Sequence, residues 1–387
     1  MKKIPFFQLL IISIVFTFNQ HAIGQPPPLR EQISLNGTWE FTTETGEKSN
    51  IVVPEFWDAA PGFIKKEKRE FVNDRGDTVI REVTVPSTSV GIYEREILIP
   101  SGWKDKKIKI EFEGVNHIAE VYLNEQPIST HISGWIPFKV DVTDYVKAGE
   151  TCHLKVIVKG GSHSPIVDAG GYPQWPVGWY GHQSRWGIIF DIWLRAYGPV
   201  YIDDAFIQTS WRDKKITVDY DVVNSSAEKY EIQIHAHIRN QGEANTILEI
   251  KSNKLILRPG EQCKVRLASP WEDVRVWNPE TLNLYILSSK IMKIENKDKP
   301  GSKLDEEHRR FGFREIWIEG TELRLNGVRL NLRGTSINTH GQGFDRGRYN
   351  FISPDTWNRT MDRLQYLNIQ CIRFHQQPVS KRIIEMA

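Results

Sequence analysis

The side chains whose types and spacing can do chemistry gather near the C-terminal end of the 387-residue sequence. Arg373 and His375 stand one residue apart at the close of the apolar run Ile369–Phe374. Asn338 and His340 show the same spacing after an earlier run, Asn331–Ser336. A guanidinium holds a carboxylate through paired charge-assisted hydrogen bonds, and a neutral imidazole can hydrogen-bond a hydroxyl. A second group is aromatic. The segment Gly170–Gly187 carries Tyr172, Trp175, Trp179, Tyr180 and Trp186 among glycines and prolines. Such rings can stack on the apolar faces of a sugar, Trp179 and Tyr180 foremost, or they can plug the space between two domains.

These residues need elements to position them. Asn331–Ser336 reads as a short strand with Leu332 inside. After the polar stretch Ile337–Ile352, Ser353 is suited to cap a helix, with Pro354 at its first position and Asp355 in its first turn. Trp357, Met361, Leu364 and Leu367 recur at helical spacing, and Asn368 can close the helix in a left-handed conformation. Ile369–Phe374 is then a second strand, and Pro378 opens a second helix with Val379, Ile383 and Met386 on one face. Two successive strand–helix units result. Parallel strands need helices over both faces, and the closed solution has about eight such units in roughly 250 residues. The two units are therefore expected to be the start of an incomplete βα barrel, the alternative being that they pack on the domains before them. Both βα loops would open on the face where barrels build active sites. The first offers Asn338, His340, Asp345, Arg346 and Arg348, and the second Arg373, His375 and Gln376; Asp345, Arg346 and Arg348 read as loop surface.

Upstream, residues 25–200 read as many short strands separated by turn residues: Ser34–Thr42, Gly91–Ile99, Lys107–Phe112, Ile118–Leu123, His153–Val158 and Phe190–Tyr197. This predicts a two-sheet jelly-roll. Residues 201–312 predict an immunoglobulin-like sandwich built from Ile216–Val222, Tyr230–Arg239, Asn245–Ile250, Cys263–Leu267 and Asn283–Lys290. The charged run Glu295–His308 reads as a solvated hairpin loop. Residues 313–387 form the βα portion, opening on a hairpin turned at Asn326-Gly327, the strongest short hairpin signal. The fold class expected is mainly β, jelly-roll then immunoglobulin-like sandwich, followed by two βα units.

Bulk properties narrow the partners. Residues 1–24 pair Lys2 and Lys3 with the uncharged run Ile4–Phe18 and the small-x-small triplet Ala22-Ile23-Gly24, the pattern of a cleaved export signal; the run is short for a membrane span. Removing them leaves 48 basic and 48 acidic residues, so nothing electrostatic points to nucleic acid or an anionic membrane. Cys152, Cys263 and Cys371 match no metal spacing. No disulfide framework, zinc site or cofactor is expected. His117, His131 and His163 receive structural readings.

Motifs in order carry a resemblance. LNGTWEF (Leu35–Phe41), VVPEFWD (Val52–Asp58), YEREILIP (Tyr93–Pro100), the long stretch Phe112–Glu150, WNPETLNLYIL (Trp277–Leu287), FGFREI (Phe311–Ile316), LNGVRLNLRG (Leu325–Gly334) and NIQCIRFHQQP (Asn368–Pro378) together resemble glycoside hydrolase family 2. That family includes β-galactosidases, β-glucuronidases and β-mannosidases. The resemblance implies a retaining β-glycosidase acting on β-linked glycans, exported on the reading of residues 1–24, with Arg373, His375, Asn338 and His340 lining the sugar pocket. It implies two catalytic glutamates near the ends of later barrel strands. Glu315, Glu319, Glu322 and Glu385 occupy no such place, so no catalytic residue is named. The loop Gly334–Phe344 and the Gln376-Gln377-Pro378 run after His375 depart from the family pattern and leave the sugar open. The competing reading is a non-catalytic carbohydrate-binding protein acting through the jelly-roll.

Overall fold

The computed structural model describes residues 29–57, 64–72, 75–163, 165, 186–295, 299–337, 354–374 and 379–386. Strand alternation builds the first sandwich. In Lys107–Phe112, Ile108, Ile110 and Phe112 are buried, while Lys107, Lys109 and Glu111 turn outward. This strand lies in a four-stranded antiparallel sheet with Glu31–Ser34, Ile192–Tyr197 and Phe138–Asp141. The facing sheet has six strands, in the order Gln126–Ile132, Ile118–Leu123, Thr151–Lys159, Val90–Leu98, Gly37–Thr43 and Lys48–Val53. Between them Trp39, Phe41, Trp57, Tyr93 and Trp103 are essentially unexposed. Trp57 sits 5.8 Å from the Phe41 ring and 6.1 Å from that of Trp186, and its indole N–H donates to the Thr88 carbonyl at 3.1 Å. Tryptophan's bulk thus serves the core.

The expected strand Ser34–Thr42 is two strands in opposite sheets, Glu31–Ser34 and Gly37–Thr43. The chain crosses the core at Leu35–Asn36, and Gly37 adopts φ 111°, which a side chain would resist. A hairpin of two nine-residue strands, Ile64–Val72 and Thr78–Pro86, pairs with itself in unbroken register.

The second sandwich sets three strands, Val200–Ser210, Lys215–Asn224 and Gln262–Pro270, against a sheet of Thr246–Lys251, Tyr230–Asn240, Leu284–Glu295 and Lys299–Gly312, with Leu255–Leu257 beside Tyr230–Asn240. Ile216, Val218, Val222, Ile232, Ile234, Ile238 and Phe313 fill its core. The charged run Glu295–His308 corrects the sequence reading. From Lys299 it is strand, not loop, and Leu304, Asp305 and Glu307 point inward. Charge alone suggested solvent, and Ser302, Lys303 and His308 are exposed, but past the bulge at Leu304 the alternation turns Asp305 and Glu307 inward.

Those inward acids clasp the two sandwiches. Asp305 is 0% exposed. Arg30, just before the first strand, donates from Nε to Asp305 Oδ1 and from Nη2 to Oδ2, each at 2.6 Å, and Nη2 also reaches the Ile202 carbonyl. The Ile202 N–H donates to Asp305 Oδ2 at 2.7 Å. Arg30 lies over the Tyr197 ring, and its Nη1 is 3.6 Å from Glu307. Beside this, Lys109 and Lys139 both bond Asp203.

A three-stranded hairpin sheet follows: Ile316–Glu319, Glu322–Leu325 and Val328–Arg329. Asn326 and Gly327 adopt φ 49° and 84°, the turn that their sequence requires. A Cβ on Gly327 would lie 2.6 Å from Trp211, so this turn also needs glycine to reach the second sandwich. The expected first βα strand is displaced: it is Gly334–Ile337, with Ile337 buried and Leu332 exposed. It pairs in parallel with Cys371–Phe374, and the helix Pro354–Tyr366 connects them. Asn368 ends that helix at φ 54°, as its sequence suggests. A short helix, Lys381–Met386, buries Ile383. This is a βαβ unit followed by a helix. All three cysteines are free; Cys152 is buried, and Cys263 and Cys371 are half-buried. No helix among the described residues is long and apolar enough to cross a membrane.

Candidate functional site

The parallel pair decides which side chains face away from the helix. Its register sets Ser336 opposite Arg373 and Ile337 opposite Phe374. Side chains alternate along a strand, so Ile337 and Phe374 share one face while Ser336 and Arg373 share the other. The helix claims the first face: Trp357 is fully buried and stacks on Phe374 with ring centroids 6.3 Å apart. Ser336 and Arg373 therefore stand on the face away from the helix, which in a βα barrel is the interior. Arg373 Nη1 donates to Ser336 Oγ at 3.0 Å, bridging the two strand ends. The guanidinium is exposed and next to last in its strand.

Of the six expected site residues, only Arg373 falls among the described ones. His375, Asn338, His340, Trp179 and Tyr180 lie outside them, as does Gln376. Ser336 is the addition. Sequence reasoning missed it because the register of a parallel pair is not written in either strand. Of the aromatic segment, Trp186 is described. It is 7% exposed and packs on Trp57 and against Gly160, so that ring belongs to the core.

The local carboxylates have other partners. Glu315 accepts from Arg212 Nε at 2.8 Å, from the Arg212 backbone N–H at 3.0 Å and from Ser210 Oγ at 3.1 Å. Burial pushes its carboxyl up, but these donors hold it below its ordinary value. Glu319 and Glu322 both pair with Arg324 at 2.8 Å, and Glu385 with Lys381 at 3.6 Å. Each thus has a cationic partner, away from the Ser336–Arg373 face.

The three histidines read as structural all lie in the first sandwich's part of the chain. His117 is 0% exposed with neither ring nitrogen hydrogen-bonded, and burial, then the neighbouring His131, lowers its pKa to about 4. His131 stacks on Phe138 at 4.0 Å. His163 is exposed, 2.9 Å from Ser89 Oγ.

Known proteins share this fold. Residues 28–177 match the glycosyl hydrolases family 2 sugar binding domain, and residues 200–314 match the glycosyl hydrolases family 2 domain. A β-glucuronidase of Formosa agariphila is 27% identical over 256 residues, 60% of this chain and 25% of its own length. A β-galactosidase of Priestia megaterium is 24% identical over 320 residues, 76% of this chain and 29% of its own. The chain thus spans under a third of these relatives. Among solved structures, a putative β-galactosidase from Bacteroides fragilis superposes with a TM-score of 0.74 at 18% identity, covering 92% of this chain and 51% of that one. A family 2 β-galacturonidase from Eisenbergiella tayi bound to galacturonate superposes with a TM-score of 0.68 at 20% identity, covering 92% and 56%. Two successive domain signatures thus fall on the two sandwiches in chain order, and the chain belongs to glycoside hydrolase family 2 as a member covering its N-terminal portion.

Proposed function

We propose that this chain is the N-terminal part of an exported family 2 β-glycosidase that hydrolyses O-glycosidic bonds in β-linked glycans with retention. The observation that carries this is the placement of Arg373: near the end of a parallel strand, on the face away from the helix, downstream of two sandwiches with family 2 signatures. Retention needs two carboxyl groups about 5–5.5 Å apart, one as nucleophile and one as acid and then base. In this reading the pair belongs to later barrel strands. Those further units would also cover Ile318, Val328, Leu332, Tyr366, Leu367 and Ile384, all exposed. Arg373 would pair with the nucleophile's carboxylate and keep it ionised, and His375 would hydrogen-bond a hydroxyl of the terminal sugar. Asn338 and His340 would line the same pocket from the first βα loop.

Two experiments test this. The purified chain, assayed against aryl β-galactoside, β-glucuronide and β-mannoside, should show no turnover. Turnover abolished by a substitution within residues 331–387 would overturn the reading. Sequencing the gene past codon 387 should find an open frame encoding two glutamates at barrel strand ends; a stop beside a stable protein would favour a carbohydrate-binding role instead. Export predicts that the secreted protein begins after Gly24.

A further inference from the structure

We propose that His235, His237 and Glu249, on the outer face of the second sandwich, form a site for a borderline divalent transition metal, zinc(II) foremost, which would staple the edge strand Thr246–Lys251 to Tyr230–Asn240. The two histidines are two residues apart in one strand, so they share its solvent face, while Ile234, Ala236 and Ile238 fill the core. Glu249 is paired directly opposite His237 in the edge strand. One ligand atom from each of the three lies within 4.8 Å of the others. Tetrahedral zinc with bonds of about 2.0–2.1 Å needs ligand atoms roughly 3.4 Å apart, a closure of up to about 1.4 Å that an exposed glutamate and half-buried imidazoles can make by rotamer adjustment. Two imidazoles and a carboxylate suit zinc, copper or nickel better than calcium or magnesium.

A second observation fixes one ligand's protonation. Gln233 donates its side-chain N–H to the Ser252 carbonyl at 2.8 Å, which orients the amide so that its oxygen faces His235. That oxygen lies 2.9 Å from His235 Nε2 and can only accept, so Nε2 carries the proton and Nδ1 presents a lone pair. Metal-binding histidines are held in this way by an acceptor on the far nitrogen. Burial, then the neighbouring Lys251, lowers the His235 pKa. Lys251 lies 3.0 Å from Glu249, and Lys290 is paired beside His235. Lys251 must release Glu249 when metal arrives, so the affinity expected is micromolar rather than nanomolar. The sequence reading sought zinc only at cysteines and passed over this His-x-His pair.

The test is calorimetric titration of the full, tag-free chain with zinc chloride, with cobalt(II) absorption as a second readout. One zinc should bind per chain in the micromolar range, and the edge strand should gain amide-exchange protection. His237→Ala should weaken binding at least about tenfold, and Gln233→Ala, which removes the orienting contact together with its tie to the Ser252 carbonyl, by about tenfold as well. His153→Ala should leave binding unchanged, because the other candidate group, Glu94, Glu125 and His153, has a single imidazole and Lys155 already on Glu125. Unaltered binding in the His235→Ala/His237→Ala double variant, loss of binding in His153→Ala, or no saturable micromolar binding by the parent chain would each overturn the proposal. If a variant fails to fold, paramagnetic broadening of the His235 and His237 ring resonances by cobalt(II) in the unmodified chain decides; broadening elsewhere alone refutes it.

Discussion

Replacing Arg30 with alanine should destabilise the protein by about 3–5 kcal/mol, the cost of breaking a buried pair from one side. The magnitude follows from what is left behind. Asp305 is 0% exposed and receives three hydrogen bonds, two from Arg30 and one from the Ile202 N–H. The variant keeps only the last, strands an ionised carboxylate in the core, and frees the Ile202 carbonyl from its Nη2 donor. Equilibrium urea denaturation of wild type, Arg30→Ala, Asp305→Ala and the double variant forms a closed cycle. Because each single substitution removes the same contact, the double should cost well below the sum, with a coupling energy of about 2 kcal/mol or more. The contact joins the sandwiches, so Arg30→Ala should also separate their unfolding into two transitions. An Arg30→Ala cost under about 1 kcal/mol, the value of an exposed ion pair, would refute this account of the clasp.

Other expectations are more local. Trp57→Ala should cost about 3–5 kcal/mol in denaturation, because it empties space between Phe41, Tyr93 and Trp186. His117 has a folded pKa of about 4, depressed below its ordinary 6.5, so its contribution is full above pH 6.5 and lost as pH falls towards 4. That window is worth about 3 kcal/mol, and stability measured against pH should fall less steeply across it in His117→Gln than in wild type. Limited proteolysis of the chain should trim it back to about residue 330 while the sandwiches persist, since the βα portion leaves Tyr366, Leu367 and Ile384 exposed; a tail as resistant as the sandwiches would contradict this.

How much could be read beforehand depends on the kind of information each feature uses. The Asn326-Gly327 turn and the closing Asn368 were legible because backbone strain selects those residues locally. The strand Lys107–Phe112 was legible because one face is buried and one is wet. Features set by distant partners were not. Nothing near Asp305 announces Arg30, 275 positions away, so the acid-rich run read as solvated. Leu332 looked like a core residue and is exposed, while Ile337 a few positions on is buried, because the strand's start is set by its pairing with Cys371–Phe374. The same holds for the site: Arg373 was legible as a residue at a strand end, whereas its Ser336 partner depends on register.

The central claim, that Arg373 serves the pocket of a β-glycosidase, is tested most directly by Arg373→Ala in the proposed full-length enzyme, with kcat/KM and Tm measured on the same preparations. The account predicts a fall in kcat/KM worth about 2–4 kcal/mol, the range for removing one preorganised stabilising group, with Tm little changed. Near-normal kcat/KM with a large drop in Tm would contradict it and make Arg373 a structural tie to Ser336.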